Sequence, residues 1–316
     1  MREGPTRVGV LDVGCFSAHL LVVDAAEGSL TRPAWSRKVR LRLDKALDST
    51  GEISPAGIDS IVAAVREATR RVSPGDLSAF VPFATSSVRD AANADDVLRR
   101  VSRRAGIDLR LFSGRQEAEL SYLAARRWFG WSAGPLSVLD VGGGTVELAA
   151  GDSDGASLAV SLPLGARTLM MLGLDERERL GDMREEVRSR VADALPKRDV
   201  KALASGRAVG CSKVFQQLAH LAGAAAPDGR RVLRAGDLDK WIPRLAALSA
   251  RGRAKLPGIS RHRAEQSLAG ALVAEALMRA TGHDTVDISP WSTKEGLLLT
   301  LLERDRPATG GIVSAA

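Results

Sequence analysis

Val10-Leu11-Asp12-Val13-Gly14 and Val138-Leu139-Asp140-Val141-Gly142 are the same five letters, 128 residues apart. In context the first copy reads VGVLDVGCFSAHLLVVD (8–24) and the second LSVLDVGGGTVELAAGD (136–152). Each apolar run ends in an Asp-x-Gly turn and resumes as a second apolar run, the pattern of strand, turn, strand. A repeat of this kind is the mark of a duplicated domain. Such a turn presents backbone N–H groups to an anion. Two of them facing each other across a cleft would clamp a phosphate chain from both sides.

The chain of 316 residues has room for two domains of ordinary size. With 45% hydrophobic and only 4% aromatic residues, its cores must be built mainly from Leu, Val and Ala. No apolar run approaches the roughly 20 residues of a membrane span, and no signal peptide is read at the N-terminus. Membrane association is therefore not expected, and the cytoplasm is the expected compartment. Two distant cysteines, Cys15 and Cys211, exclude a disulfide framework, and four scattered histidines lack metal-ligand spacing. The net charge of +7 fits either base composition of the genome or attraction to a polyanion. There is no helix-turn-helix pattern and no basic stripe interleaved with aromatics, so a nucleic-acid partner is not expected.

Outward from the first repeat, a strand is expected near Val39–Leu43. A helix follows over 55–72, capped by Ser54 and opened by Pro55. Next come a strand at 79–84, a helix over 93–104 with Asn93 as cap and Gly106 as stop, a strand at 108–112 and a helix over 115–129. GWSAGP (130–135) reads as a boundary. Strands at 136–141, 145–150 and 157–163 restart the pattern. A charged, solvated helix follows over 174–195, then a strand at 208–211 and a helix over 213–222. A long helix over 262–281 carries Leu268, Leu272 and Ala276 on one face, and a strand (285–289) and a last helix (294–304) end the fold. The expected fold class is α/β, with two duplicated lobes and an interdomain cleft. Lobe I takes 1–131 plus about 293–306, lobe II takes 132–292, and 307–316 is a disordered tail.

Asp140-Val-Gly-Gly-Gly-Thr-Val-Glu147 is the most specific local signal. Gly142, Gly143 and Gly144 allow close approach and positive φ, Thr145 adds a hydroxyl, and Asp140 and Glu147 flank the turn as candidate ligands of Mg²⁺. Asp12 is the corresponding carboxylate of the first copy, whose turn is Gly14-Cys15-Phe16-Ser17. Cys15 lacks the Arg six residues on that a phosphocysteine loop requires, so it is not read as a nucleophile. Glu117, early in a helix, is placed to act as general base or simply to complement the helix dipole. Arg89 offers a fork donor to phosphate, and Ser212 and Lys213 stand where a strand meets a helix N-terminus.

Together these segments resemble the Ppx/GppA family of exopolyphosphatases and guanosine pentaphosphate phosphohydrolases. Asp12-Val-Gly14, Ala84-Thr-Ser-Ser-Val-Arg89-Asp-Ala, Ser113-Gly114-x-x-Glu117-Ala, Asp140–Glu147, Leu162-Pro-Leu-Gly165-Ala166 and Glu295-Gly296-Leu297-Leu298 follow in the family's order. The resemblance implies ribonuclease-H-like (actin-like ATPase) lobes in a short two-domain form, and Mg²⁺-dependent hydrolysis, with Mn²⁺ as the alternative ion. The implied substrates are inorganic polyphosphate or pppGpp, and a homodimer is the expected assembly. By position it makes Glu117 the catalytic base. Arg89, the Gly14 turn and the Gly143–Thr145 turn become the phosphate cradle, and Asp140 and Glu147 become residues linked to metal or water.

Two departures stand out. Cys15-Phe16 replaces the family's Ser-Asn, which removes a polar contact and puts a phenyl ring where it would crowd the cradle. Glu119 stands where Arg is common, in place of a phosphate partner. An active exopolyphosphatase is the leading expectation. A weakened homologue that binds polyphosphate or (p)ppGpp as a regulator is the alternative, and an ATP-dependent kinase of the same superfamily is the third reading.

Overall fold

The computed structural model describes residues 6–25, 30–173 and 179–305. The proposed tail at 307–316 lies outside the described residues.

The first half runs β1 (Arg7–Val13), β2 (Ser17–Asp24), β3 (Trp35–Arg40), α1 (Pro55–Thr69), β4 (Ala79–Ala84), α2 (Ser86–Arg89), α3 (Ala94–Ala105), β5 (Arg110–Leu111) and α4 (Gly114–Phe129). The second half runs β6 (Leu136–Val141), β7 (Val146–Gly151), β8 (Leu158–Leu162), α5 (Ala166–Met171), α6 (Leu180–Ala194), α7 (Lys197–Ala204), β9 (Arg207–Gly210) and α8 (Lys213–Ala222). It continues through β10 (Val232–Arg234), α9 (Ala235–Ala246), α10 (Ala250–Arg253), α11 (Ser267–Ala280), β11 (Thr285–Ile288) and α12 (Thr293–Asp305).

The strands form two sheets, in the orders β3-β2-β1-β4-β5 and β8-β7-β6-β9-β11-β10. In both, three antiparallel strands are followed by two parallel ones. The second sheet adds only the antiparallel edge strand β10. Parallel neighbours need crossover connections, which is why helices separate β3 from β4 and β8 from β9. The repeated pentapeptide thus marks the same place in two copies of one topology.

Local chemistry places most elements. Ser54 caps α1 by accepting from Gly57 N at 3.2 Å, with Pro55 opening the helix. Gly106 ends α3 at φ 67°, a left-handed value that suits glycine. Asn93 does not cap α3: its side chain instead pairs with both the N–H and the carbonyl of Ile53, each at 2.9 Å. The strand expected at 39–43 ends earlier, at Arg40. From there Leu41 N and Leu43 N donate to the carbonyls of Phe16 and Cys15, both at 2.9 Å. The chain therefore folds over the first turn rather than along a neighbouring strand. The strand expected at 108–112 pairs only at Arg110–Leu111.

The helix expected over 262–281 is broken into a 3-10 turn, Arg261–Arg263, and α11. Residues 267–278 are buried on every side of α11, because α5, α6, α8 and α9 all pack on it. The face of Leu268, Leu272 and Ala276 is therefore only part of what the helix buries, and Glu275, 1% exposed, is buried with it. That carboxylate accepts from Arg184 (3.3 Å), Arg188 (2.5 Å) and Arg279, and Arg188 and its neighbours account for the charged face of α6. The arginines hold Glu275 below its ordinary 4.5 against the opposing effect of burial. A depressed carboxyl stabilises the fold above its unfolded pKa and loses that contribution as pH falls through its folded one. Glu275→Gln is therefore expected to lower the melting temperature at pH 7 and to lower it progressively less as the pH falls below 4.5, as thermal unfolding over a pH series would show.

Two helices change partners. α4 follows the first sheet but packs Ala118, Tyr122 and Ala125 on Leu136, Val138, Ala149 and Val209 of the second. α12 follows the second sheet but packs Leu297, Leu298, Leu301 and Leu302 on Val8, Val10, Leu21 and Val23 of the first. The exchange brings the N-terminal ends of both helices to the space between the two sheets.

Candidate active site

Each repeated turn closes in the same way. Gly14 N donates to Ser17 O and Gly142 N to Thr145 O, both at 2.9 Å. The register sets Asp12 opposite His19 and Asp140 opposite Glu147. The carbonyls of both turns are held from behind. Those of Cys15 and Phe16 accept from Leu43 and Leu41, while those of Gly142, Gly143 and Gly144 accept from the loop at 165–168. The N–H groups of Cys15, Phe16, Gly143 and Gly144 find no acceptor among the described residues. A cradle of forward-facing N–H groups with its carbonyls turned away is what an anion requires.

The glycines do not serve by positive φ, as their pattern suggested: none of Gly14, Gly142, Gly143 and Gly144 has it. They serve by space. A Cβ on Gly142 would stand 2.9 Å from Thr145 O, and one on Gly144 would stand 3.0 Å from Ser86 Oγ and 3.3 Å from Arg167 Nη2. A Cβ on Gly143 would lie 3.7 Å from that of Cys15, so the two turns do face each other. Gly165 crosses behind the second turn so closely that a Cβ there would overlap the backbone of Gly143 and Gly144. Gly165→Ala is expected to displace this turn and raise KM for a polyphosphate substrate about tenfold or more, measurable by steady-state kinetics.

A cleft of about 210 Å³ lies between the turns. Of the residues singled out from sequence, it is lined by Asp12, Gly14, Cys15, Phe16, Ser17, Glu117, Asp140, Gly142, Gly143, Thr145, Glu147, Ser212 and Lys213. Gly144 stands behind the lining, against Ser86. Arg89 is also behind it, on α2. Its guanidinium pairs with Glu117 and donates to Phe112 O (3.0 Å) and Asp90 (2.8 Å). It therefore orients the carboxylate rather than lining the cleft.

Four carboxyls line the cleft: Asp12, Glu117, Asp140 and Glu147. α4 begins with a reciprocal cap in which Ser113 Oγ accepts from Gln116 N and Gln116 Oε1 from Ser113 N. One residue later the helix drives Glu117 inward, 5% exposed. Burial and then Glu147 push Glu117 up to about 9 against the pull of Arg89. Burial and Asp140 push Glu147 to about 7, opposed by its bonds from Thr145 and Ser161. Burial also raises Asp140, which is held by Ser292 Oγ (2.9 Å) and Ser121 Oγ (3.3 Å). Asp12 rises to about 6 by burial, and its Oδ1 is buried with no hydrogen-bond partner.

The cleft is also lined by basic groups: Lys38 of β3, Lys213 at the start of α8 and Arg263, and no ion pair is found for any of the three among the described residues. Burial lowers the pKa of each, and Lys38 and Lys213 are lowered further by their cationic neighbours. Lys294, at the first turn of α12, pairs with Glu295 at 2.7 Å and faces Asp12 and Asp140. Burial and the nearby lysines hold His19 down to about 4, so it is neutral at pH 7. Lys38, Arg263 and Lys294 escaped the sequence reading, because isolated basic residues in a chain of 45 carry no local signal.

Neither departure puts its side chain into the cradle. Glu119 points out of the cleft and pairs with Arg115 at 2.9 Å, one helical turn back. Phe16 is 4% exposed and belongs to the core between the first sheet and α1, so its ring does not fill the cradle. Cys15 is buried with its thiol pushed above the ordinary value, which fits its exclusion as a nucleophile.

Among the described residues, no three His, Cys, Asp or Glu side chains form a protein-only metal cage. Mg²⁺ does not need one: it keeps several waters and binds through one or two carboxylates plus substrate phosphates. The unpartnered Oδ1 of Asp12, with Asp140 and Glu147 across the cleft, is a hard-oxygen donor set that fits such an ion.

Among the described residues no helix is long and apolar enough to cross a membrane. The sequence profile of the Ppx/GppA phosphatase family matches residues 21–305. The chain is 42% identical over 314 residues to Exopolyphosphatase 1 of Mycobacterium leprae, covering 96% of this chain and 91% of that one. It is 40% identical over 321 residues to Exopolyphosphatase 1 of Mycobacterium tuberculosis, covering 98% and 92%. Among solved structures it is similar to an exopolyphosphatase from Cytophaga hutchinsonii, with TM-score 0.81 and 22% identity over 95% of this chain and 99% of that one. It is also similar to the Aquifex aeolicus Ppx/GppA family member, with TM-score 0.76 and 22% identity over 96% and 100%. These two likenesses show the two-lobe, actin-like fold, and with the sequence matches they place this chain in the Ppx/GppA phosphatase family.

Proposed function

We propose that this protein is an exopolyphosphatase that releases terminal orthophosphate from linear inorganic polyphosphate by attack of water. The observation that carries the reading is the lining of the cleft. It gathers four carboxyls, the basic groups Lys38, Lys213 and Arg263, for which no ion pair is found among the described residues, and two turns whose N–H groups find no acceptor there. A chain of phosphates fits with its charge met by the basic groups and N–H groups and its terminal group beside Glu117. Among the described residues that line the cleft the aromatic rings are Phe16, whose face is covered by Arg263, and His19.

In this reading the N–H groups of the two turns and Thr145 bind the terminal phosphate. Glu117, oriented by Arg89, accepts a proton from the attacking water. Asp12, with Asp140 or Glu147, would hold Mg²⁺, or Mn²⁺ in its place, and the ion would supply positive charge to offset that of the phosphates. Ser212, Lys213 and Lys38 hold the phosphates that follow. The reading also takes the cytoplasm as compartment and a homodimer as assembly, to be checked by fractionation and sedimentation. It divides the chain into 1–131 with 293–306 and 132–292, joined by the exchanged helices. Hydrogen exchange that failed to protect these as two units would sink that division.

The test is orthophosphate release from short-chain polyphosphate with Mg²⁺, followed by chain length of the residual substrate. Stepwise shortening from the end, abolished by chelation, is expected. A protein that binds labelled polyphosphate but releases nothing would be a regulator built on the same frame, and the hydrolase reading would fall.

A further inference from the structure

Phe16 lies in the first phosphate turn, yet its side chain engages a residue 247 positions away in sequence. The guanidinium carbon of Arg263 sits 4.4 Å from the centre of the Phe16 ring, and the His262 ring packs beside it at 5.8 Å. Both Phe16 and Arg263 line the cleft. Arg263 belongs to the 3-10 turn before α11, in a segment whose Ile259 and Ala264 pack into the core of the second sheet, whereas Phe16 packs into that of the first. The same junction is pinned by Glu265, which pairs with Lys45 at 2.7 Å and approaches Arg42 at 3.8 Å. No hydrogen bond of the Arg263 side chain is found among the described residues, so the ring is its positioning contact. An arginine without a carboxylate partner keeps its fork free for phosphate, while a ring face holds it in place at little entropic cost.

We propose that Phe16 is a positioning residue that shelves Arg263 against the first turn, so that Arg263 grips the phosphate next to the terminal one. This rests on the polyphosphate reading above. It reverses the meaning of the departure at this position. The phenyl ring does not remove a contact from the cradle; it supplies one through a cation from the other half of the chain. Phe16 sets substrate grip rather than the proton transfer, so its loss acts on KM and leaves kcat nearly intact.

The experiment is a double-mutant cycle on Phe16→Leu and Arg263→Met. KM and kcat are measured for tripolyphosphate, and the Kd of tripolyphosphate is measured with Mg²⁺ in the Glu117→Gln background. Leu preserves apolar fill and removes the ring face. Phe16→Leu is expected to raise KM and Kd about five- to thirty-fold with kcat changed less than about threefold. In Arg263→Met the same substitution adds nothing, and Phe16→Tyr keeps wild-type binding. Phe16→Leu binding like wild type, an equal loss in the Arg263→Met background, a Tyr variant as weak as Leu, or tighter binding by Phe16→Asn would each overturn the shelf while leaving the hydrolase standing. A wild type that neither binds nor cleaves tripolyphosphate overturns both.

Discussion

Glu117→Gln lowers orthophosphate release from short-chain polyphosphate by about two to four orders of magnitude, the range that one positioned general base supplies. Gln keeps the length and shape of Glu and can still accept a hydrogen bond from Arg89, so the start of α4 and its reciprocal cap stay in place. What it loses is the ability to take a proton. Binding of tripolyphosphate is expected to change by less than about threefold, because the N–H cradles and the basic groups of the cleft are untouched. The loss should fall on kcat alone, which separates this variant from one that damages the cradle. Three buried carboxyls and the half-buried Asp12 share the site, and Glu147 is the nearest competitor for the role. Turnover that survives Glu117→Gln and disappears in Glu147→Gln would hand the base function to Glu147.

Gly296→Val is expected to be the most damaging substitution outside the cleft. Gly296 lies in the first turn of α12 where it crosses α4, and a Cβ there would overlap the carbonyl oxygen of Leu120. The obstacle is backbone on a neighbouring helix, so no side chain can swing away to relieve it. Overpacking of this kind costs about 3 kcal/mol, and the apparent Tm should fall by about 5–10 °C. Activity should fall as well. Ser292 and Thr293 at the head of α12 bond to Asp140 and Ser121, so a displaced α12 withdraws support from Asp140. Circular dichroism melts and orthophosphate release on the same preparation would test both. An unchanged Tm would mean that the two helices do not approach this closely.

The two predictions probe parts of the molecule that were visible in the sequence to very different degrees. Glu117 was legible as a carboxylate early in a helix and as part of the motif Ser113-Gly114-x-x-Glu117-Ala, while its burial and the cap of Ser113 and Gln116 came from the structure. Both turns were legible because each is closed between residues three apart. Gly296 was legible only as a letter in a motif, and its reason is a backbone 176 residues away. Arg89 read as a phosphate ligand and proved to be the partner of Glu117, a pairing between α2 and α4 that no spacing reveals. Phe16 read as an intruder, because sequence gives its position in the turn but not the direction of its ring.

Strand, turn and cap are set by neighbours within a few residues, through backbone hydrogen bonding, chain stiffness and apolar alternation. The sequence by itself therefore determined the duplicated strand–turn–strand units and the fold class, and it singled out Glu117 as a candidate. The gathering of charged groups in one cleft, the exchange of α4 and α12 between sheets, and the shelf under Arg263 join separate elements, 247 positions apart for Phe16 and Arg263. Only the tertiary structure decided these, because burial and contact between distant segments depend on how the two sheets pack and not on the letters around any one of them.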